Sequence, residues 1–256
     1  GGAVCIMLML SGQNVWVAMA GATAAGMAAG LATGILHTFM GIPAILAGIL
    51  TQLGLYSINL KTMGKANQAI NVDKYDLLVS LRFIRKVPFY KNTILIVAIA
   101  IILLIVVLYW FFGTELGCSL RATGCNDKMA RAQGINTDFN RVLGLMISNG
   151  LVALSGAMLC QYQGFADINM GRGAIVIGLA AVIIGEAIFG KVFRNFGFKL
   201  LAVALGSIIY YLVLQVVIWL GIDTDLLKLL SAGVVAVFLA IPTWKSRYFS
   251  NMGKRG

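Results

Sequence analysis

Residues 117–135 read GCSLRATGCNDKMARAQGI. This stretch is a polar island between two apolar runs, each long enough to cross a bilayer. Helix formers over 116–123 run into Gly124, which predicts a glycine stop at the end of a first helical piece. Asn126 is a good N-cap for a second piece, and Asp127 behind it suits the positive end of a helix. Met129, Ala130 and Ala132 continue that piece until Gly134 stops it. The expected shape is a helical elbow projecting from the apolar segments. As a helix pattern alone it is equally an ordinary polar connection and a surface made for a partner.

The flanking sequence is membrane-like. Of 256 residues, 60% are hydrophobic and only 11% charged, and the mean hydropathy is +0.91. A soluble domain is nearer a quarter charged. No water-soluble core of this size buries so much apolar surface, so the bilayer must be the solvent. About 20 apolar residues cross its hydrocarbon core. Segments 15–36, 42–60, 93–113, 142–165, 174–189, 198–220 and 226–241 read as spans, with a partial one at 1–10. The expected fold is an all-α, polytopic transmembrane helix bundle of seven complete spans and a partial N-terminal one. The whole of 1–256 reads as one transmembrane domain carrying a polar loop at 114–141. The opening GGAVCIMLML has neither an initiator Met nor a basic n-region, and reads as truncated with at least one span missing.

Local patterns sharpen several of these spans. Ala22, Gly26, Gly30 and Gly34 recur every four residues and make one helix face flat enough for close approach of a neighbour. Pro43 fits the first turn of the second span. Residues 61–92 form a long, basic connection, and RFIRKVPFYKN within it is consistent with an interfacial helix. His37 and Thr38 fall in a short turn, where a lone histidine is usually structural.

Polar residues inside spans have either a packing role or a transport role. Thr51, Gln52, Ser57 and Asn59 make the second span unusually polar. Ser148, Asn149, Ser155, Gln161 and Gln163 do the same for the span after the elbow, and Ser148, Ser155 and Gln163 share a helical face. Interhelical hydrogen bonding and a polar translocation path weigh about equally, and the path reading brings the two sets together inside the bundle. Glu186 is the one acid well inside an apolar run. It is either a snorkelling residue balanced by Lys191 or part of the substrate path.

The pattern R-A-T-G-x-N-x-x-M-A-R-A-Q-G-I resembles the cytosolic loop of ABC importer permeases of the branched-chain amino acid and monosaccharide family. The matching residues are Gly117, Arg121, Ala122, Gly124, Asn126, Ala130, Gly134 and Ile135. HTFMGIPAILAGILTQLGLYSINL at 37–60 and VIIGEAIFG at 182–190 are similar to a bacterial subgroup associated with amino-acid uptake. The resemblance implies that the elbow is a coupling helix docked on a cytoplasmic ATPase subunit. It implies two permease subunits, an extracytoplasmic substrate-binding protein and an amino-acid substrate, branched-chain or aromatic. It also makes Gly185 and Gly190 part of a glycine-rich turn, which leaves room for a broken helix there.

Other classes find little support. The formal charge of +11 invites nucleic acid, but the basic residues are scattered through short loops and the tail. No G-x-x-x-x-G-K-[ST] occurs, so ATP hydrolysis belongs to another polypeptide. The single histidine and the spacing of Cys5, Cys118, Cys125 and Cys160 offer no metal set, and no cofactor is expected. The chain carries no acid/base pair for an intramembrane enzyme. An ion-gradient-driven transporter remains the alternative, with Glu186 its weak basis. With the elbow, residues 191–199 and the tail in the cytosol, Arg121, Lys128, Arg131, Arg141, Lys191, Arg194, Lys199, Lys245, Arg247, Lys254 and Arg255 lie inside. The positive-inside rule barely prefers this side. The resemblance decides for it and puts the basic 61–92 connection outside.

Overall fold

The apolar runs fold as helices. The computed structural model describes residues 1–70, 75, 77–79, 93–171, 174–190, 195–219, 229, 232, 233 and 236. In chain order the elements are α1 (Gly2–Leu10), α2 (Val15–Thr38), α3 (Ala44–Met63), β1 (Asn67–Ala69), α4 (Thr93–Gly113), α5 (Glu115–Cys125), α6 (Asp127–Ala132), α7 (Thr137–Gln163), β2 (Phe165–Asp167), α8 (Ala174–Phe189) and α9 (Phe196–Trp219).

Among the described residues five helices have the length and hydropathy to cross a membrane: α2, α3, α4, α7 and α9. Five of the seven expected spans thus correspond to membrane-length helices among the described residues. α8, at 16 residues, is shorter than those five, and α1 has only 9 residues. Most of the expected span at 226–241, and the expected interfacial helix, lie outside the described residues. The fold is also not purely helical. β1 and β2 pair antiparallel, with Asn67 opposite Asp167 and Ala69 opposite Phe165. Each strand is 3 residues long, too short to show an alternating pattern in the sequence.

The residues fall into two units. The first comprises Gly1–Ile102 and Trp110–Gly171. Its spine is the antiparallel pair α2 and α7, held close by the small-residue ladder. A Cβ added at Gly26 would strike the Ala153 side chain and lie 2.6 Å from the Asn149 carbonyl oxygen. One at Gly30 would strike the Leu145 carbonyl and lie 2.7 Å from the Met146 Cα, and one at Gly34 would lie 3.1 Å from the Val142 Cα. The predicted flat face therefore exists, and it lets two backbones touch. In lipid, where apolar burial drives nothing, such dispersion contacts are what hold helices together.

A buried cluster forms at the C-terminal end of α7. It gathers Cys5, Ile6 and Met9 of α1, Met63 of α3, Cys160 of α7 and Ala166 of β2. Gln161, 1% exposed, sits among them, donating to the Cys5 Sγ at 3.8 Å and accepting from the Leu78 N–H at 3.3 Å. The amide thus replaces water for a backbone donor that lacks a ladder partner. α3 packs on α2 and α1, and only its Ala47 and Met63 are buried. In α4 only Thr93 is buried, which suits a helix of mean hydropathy 3.3 whose surroundings are lipid or another subunit.

The second unit holds Leu103–Tyr109 and the described residues from α8 onward. α8 and α9 cross at two glycines. A Cβ at Gly185 would strike the Ala202 carbonyl, and one at Gly206 would lie 2.7 Å from the Gly185 N. α8 runs unbroken through Gly185 and ends at Phe189, so of the two glycines only Gly190 stands at a helix end. Gly185 serves close packing instead. Two further expectations move slightly. Pro43 is the N-cap of α3 and not part of its first turn. His37 closes the last turn of α2, with its Nδ1 2.8 Å from the Ile42 carbonyl oxygen.

Candidate functional site

The elbow is built from three successive helix starts, each closed by a side chain. Thr114 caps α5, accepting from the Gly117 N–H at 3.3 Å. Asn126 caps α6, accepting from the Met129 N–H at 3.1 Å. Asn136 caps α7, accepting from the Phe139 N–H at 3.1 Å. Each cap satisfies one of the N–H groups a helix start leaves open and is worth about 1 kcal/mol. Three of them in 23 residues fix the path of a segment that has little apolar core of its own.

Two glycines shape the corners, and a third does not. Gly117 lies where α5 turns away from α4, and a Cβ there would strike the Phe111 carbonyl and sit 2.5 Å from the Phe112 Cα. Gly134 has φ +80°, the left-handed conformation that ends the second piece as expected. Gly124 departs from expectation. It lies inside α5, which continues to Cys125, and a Cβ there would meet open space. The corner is made by Asn126, whose extended φ −156° and ψ 100° break the helix without a left-handed residue.

Of the other matching residues, Ala130 is buried at 1% and anchors α6, and Ala122 and Ile135 are half-buried. Arg121, Gly124 and Asn126 are exposed. Leu116, Met129 and Phe139 expose 54%, 56% and 54% of their surface, so the elbow offers apolar side chains as well as polar ones to a partner.

Side chains the resemblance did not include tie the elbow to α7. Asn140 is buried and donates to Thr123 Oγ1 at 3.0 Å and to Ser119 Oγ at 3.3 Å, both on α5. Arg141 reaches Asp127 of α6 at 2.8 Å and Asp138 at 3.7 Å. Arg131 donates to Thr137 Oγ1 at 2.9 Å and to Asp138 at 3.1 Å. Single exposed ion pairs are worth little, but a shared network of two arginines and two aspartates also fixes geometry. Nothing in the local sequence pairs Asn140 with residues 17 and 21 positions earlier. The one available signal was an Asn on the apolar side of a helix start.

The candidate path residues are not brought together. Thr51 meets α2, where the Thr33 hydroxyl donates to it at 2.9 Å, and in turn donates to the Ala47 carbonyl at 2.9 Å. Gln52 is exposed and Asn59 half-buried. Asn149 donates to the Leu145 carbonyl of its own helix at 2.9 Å. α2 packs against both α3 and α7, so the two polar sets do not converge within one chain. Ser148, Ser155 and Gln163 do share one exposed face of α7, together with Val152 and Leu159. Glu186 is exposed in the second unit, where with Gly190, Lys199 and Ala202 it lines a shallow hollow.

The model of the branched-chain amino acid transport system permease component matches residues 1–246. The chain belongs to this family. A tyrosine transport system permease protein of Clostridioides difficile (strain R20291) is 37% identical to the permease over 243 residues, 94% of this chain and 77% of that one. An uncharacterised protein of Rickettsia prowazekii (strain Madrid E) is 36% identical over 203 residues, 78% of this chain and 69% of that one. An autoinducer 2 import system permease protein of Yersinia pestis (strain Pestoides F) is 33% identical over 163 residues, 62% of this chain and 44% of that one. No solved structure matches the permease. With its apolar helices, the permease is a multi-pass protein of the bacterial inner membrane and a transport subunit.

Proposed function

We propose that residues 1–256 act as one half of an ABC importer for an amino acid, with an aromatic substrate favoured over a branched-chain one. The single observation carrying this reading is the capped elbow at one end of α7. α7 has 27 residues and is about 40 Å long, longer than the hydrocarbon core. Its N-terminal end therefore holds the elbow clear of the apolar layer, ready for a cytoplasmic ATPase. Its C-terminal end leads into β2, whose pairing with β1 places the start of the basic 61–92 connection at the opposite end. The extracytoplasmic binding protein docks on that opposite side. The aromatic preference comes from the tyrosine permease relative.

The substrate path is formed at the interface with a second copy of the permease. This reading suits the exposed positions Ser148, Ser155, Gln163 and Gln52 of the first unit, which one chain leaves uncovered. Thr51, Asn59 and Asn149 line its flanks. Closure of the ATPase dimer moves the two elbows, and the attached spans alternate between outward and inward openings, because ATP binds one state better than the other. The permease itself makes and breaks no covalent bond.

The test is co-purification. The tagged permease, solubilised in mild detergent, brings down an ATPase subunit. Met129→Glu, at an exposed elbow position, leaves the permease folded and releases that subunit. A permease that purifies alone and transports without ATP is instead the ion-driven alternative.

A further inference from the structure

Asn140 is a buried side chain that joins α5 to α7 by hydrogen bonds. It is 4% exposed and gives both its amide protons to α5, one to Thr123 at 3.0 Å and one to Ser119 at 3.3 Å. The two acceptors are themselves fixed. The Thr123 hydroxyl donates to the Ser119 carbonyl at 2.8 Å, and the Ser119 hydroxyl donates to the Leu116 carbonyl at 2.8 Å. Each hydroxyl proton is used within α5, so only the oxygen lone pairs face Asn140. A donor is therefore the one polar partner this site accepts.

The ion pairs of Arg131 and Arg141 bind α6 and the α7 start, and they are partly exposed. The Asn140 contact is instead shielded from water, where hydrogen bonds hold geometry more firmly. From Asn140 the helix continues to Val142, Leu145 and Met146, which lie against Gly34 and Gly30 of α2. A push on α5 thus has a short, close-packed route into the α2–α7 pair.

We propose that Asn140 is a positioning residue for transport: it clamps α5 to α7, so that displacement of the elbow moves the spans and is not lost as rotation of α5 on its own. This rests on the reading that the elbow docks on the ATPase. Without the clamp the elbow still binds and the ATPase still turns over, but hydrolysis and transport come apart.

The experiment uses the full complex of permease, ATPase and binding protein in proteoliposomes, and reads solute imported per ATP hydrolysed. Asn140→Leu removes both donors, while the Thr123 and Ser119 hydroxyls keep the bonds they donate within α5. A neutral hydrogen bond holds its equilibrium by a factor of about five. The import-to-hydrolysis ratio is expected to fall by about fivefold or more, with hydrolysis maintained. Thr123→Val, which removes an acceptor from the other side, is expected to lower the same ratio, and Thr123→Ser to preserve it. If Asn140→Leu fails to fold, the two Thr123 variants decide the question alone. A normal ratio in Asn140→Leu or in Thr123→Val overturns the clamp, even if the variant melts earlier, since a merely structural contact changes stability and not the ratio. Thiol cross-linking from the exposed Cys118 and Cys125 separates the two claims. Cross-linking of the unaltered elbow to the ATPase together with a normal ratio in the variants removes the clamp alone. No cross-link in the unaltered complex removes the docking reading, and the clamp with it.

Discussion

Gly30 of α2 presses its Cα side directly against the Leu145 carbonyl of α7. The contact is backbone on backbone, so no rotamer change relieves an added side chain. Gly30→Leu is expected to destabilise the permease by roughly 1–3 kcal/mol, the usual cost of overpacking, and to separate α2 from α7. Thermal melting in detergent checks it. Gly48→Leu, at a glycine with open space around it, is the control and should melt normally. Equal melting of the two would remove the ladder from the account of the fold.

The elbow glycines should respond in opposite directions. Gly134 has φ +80°, so Gly134→Ala places a Cβ in the left-handed region and costs roughly 1–2 kcal/mol. Gly124 is a helix-interior glycine in open space, so Gly124→Ala should stabilise α5 by about 0.5–1 kcal/mol. Proteolytic nicking within the elbow reads both. Faster nicking of Gly124→Ala than of Gly134→Ala would contradict the structure.

Those two glycines also mark what the sequence could and could not tell. Both looked like stops, and only the residues that follow distinguish them. Beyond Gly134, Asn136 caps a new helix that begins at Thr137, whereas Asn126 takes the corner by itself and frees Gly124 to stay helical. The end of the 93–113 span was legible, because an unbroken apolar run stops before Thr114, a side-chain cap. The start of α7 was not. Thr137–Arg141 is polar and reads as loop, yet it is helical because its side chains bond the elbow, not lipid. The β1–β2 pair and the Asn140–Thr123 bond join residues far apart in the chain, and local patterns carry no such pairing. The path residues were picked by polarity, which does not say whether a helix face turns to its own bundle or to a second subunit.

The side of the elbow has a direct chemical reporter. Cys118 and Cys125 are exposed on α5, while Cys5 and Cys160 are buried. A membrane-impermeant thiol reagent applied to intact cells should leave the elbow thiols unlabelled and should label an added Asn67→Cys on β1. In inside-out vesicles the pattern should reverse. Labelling of Cys125 from outside would invert the proposed topology.

Ser155 and Gln52 are polar, exposed in the single chain and free to face a pore. Ser155→Leu and Gln52→Leu should melt within about 0.5 kcal/mol of the parent, as surface changes do, yet depress uptake per folded complex. Asn149→Leu is the informative contrast. Its amide bonds the Leu145 carbonyl of its own helix, so a loss of uptake there would place the path closer to the α2–α7 contact. Full uptake in all three variants would take these positions out of the pathway.

The central claim is ATP-driven import through this permease. The most direct measurement is uptake into proteoliposomes holding permease and ATPase, with binding protein outside, ATP inside, and a panel of labelled amino acids that includes tyrosine. The account predicts accumulation that needs both ATP and binding protein and that persists when proton and sodium gradients are collapsed. Accumulation by the permease alone, driven by an ion gradient and indifferent to ATP, would contradict it.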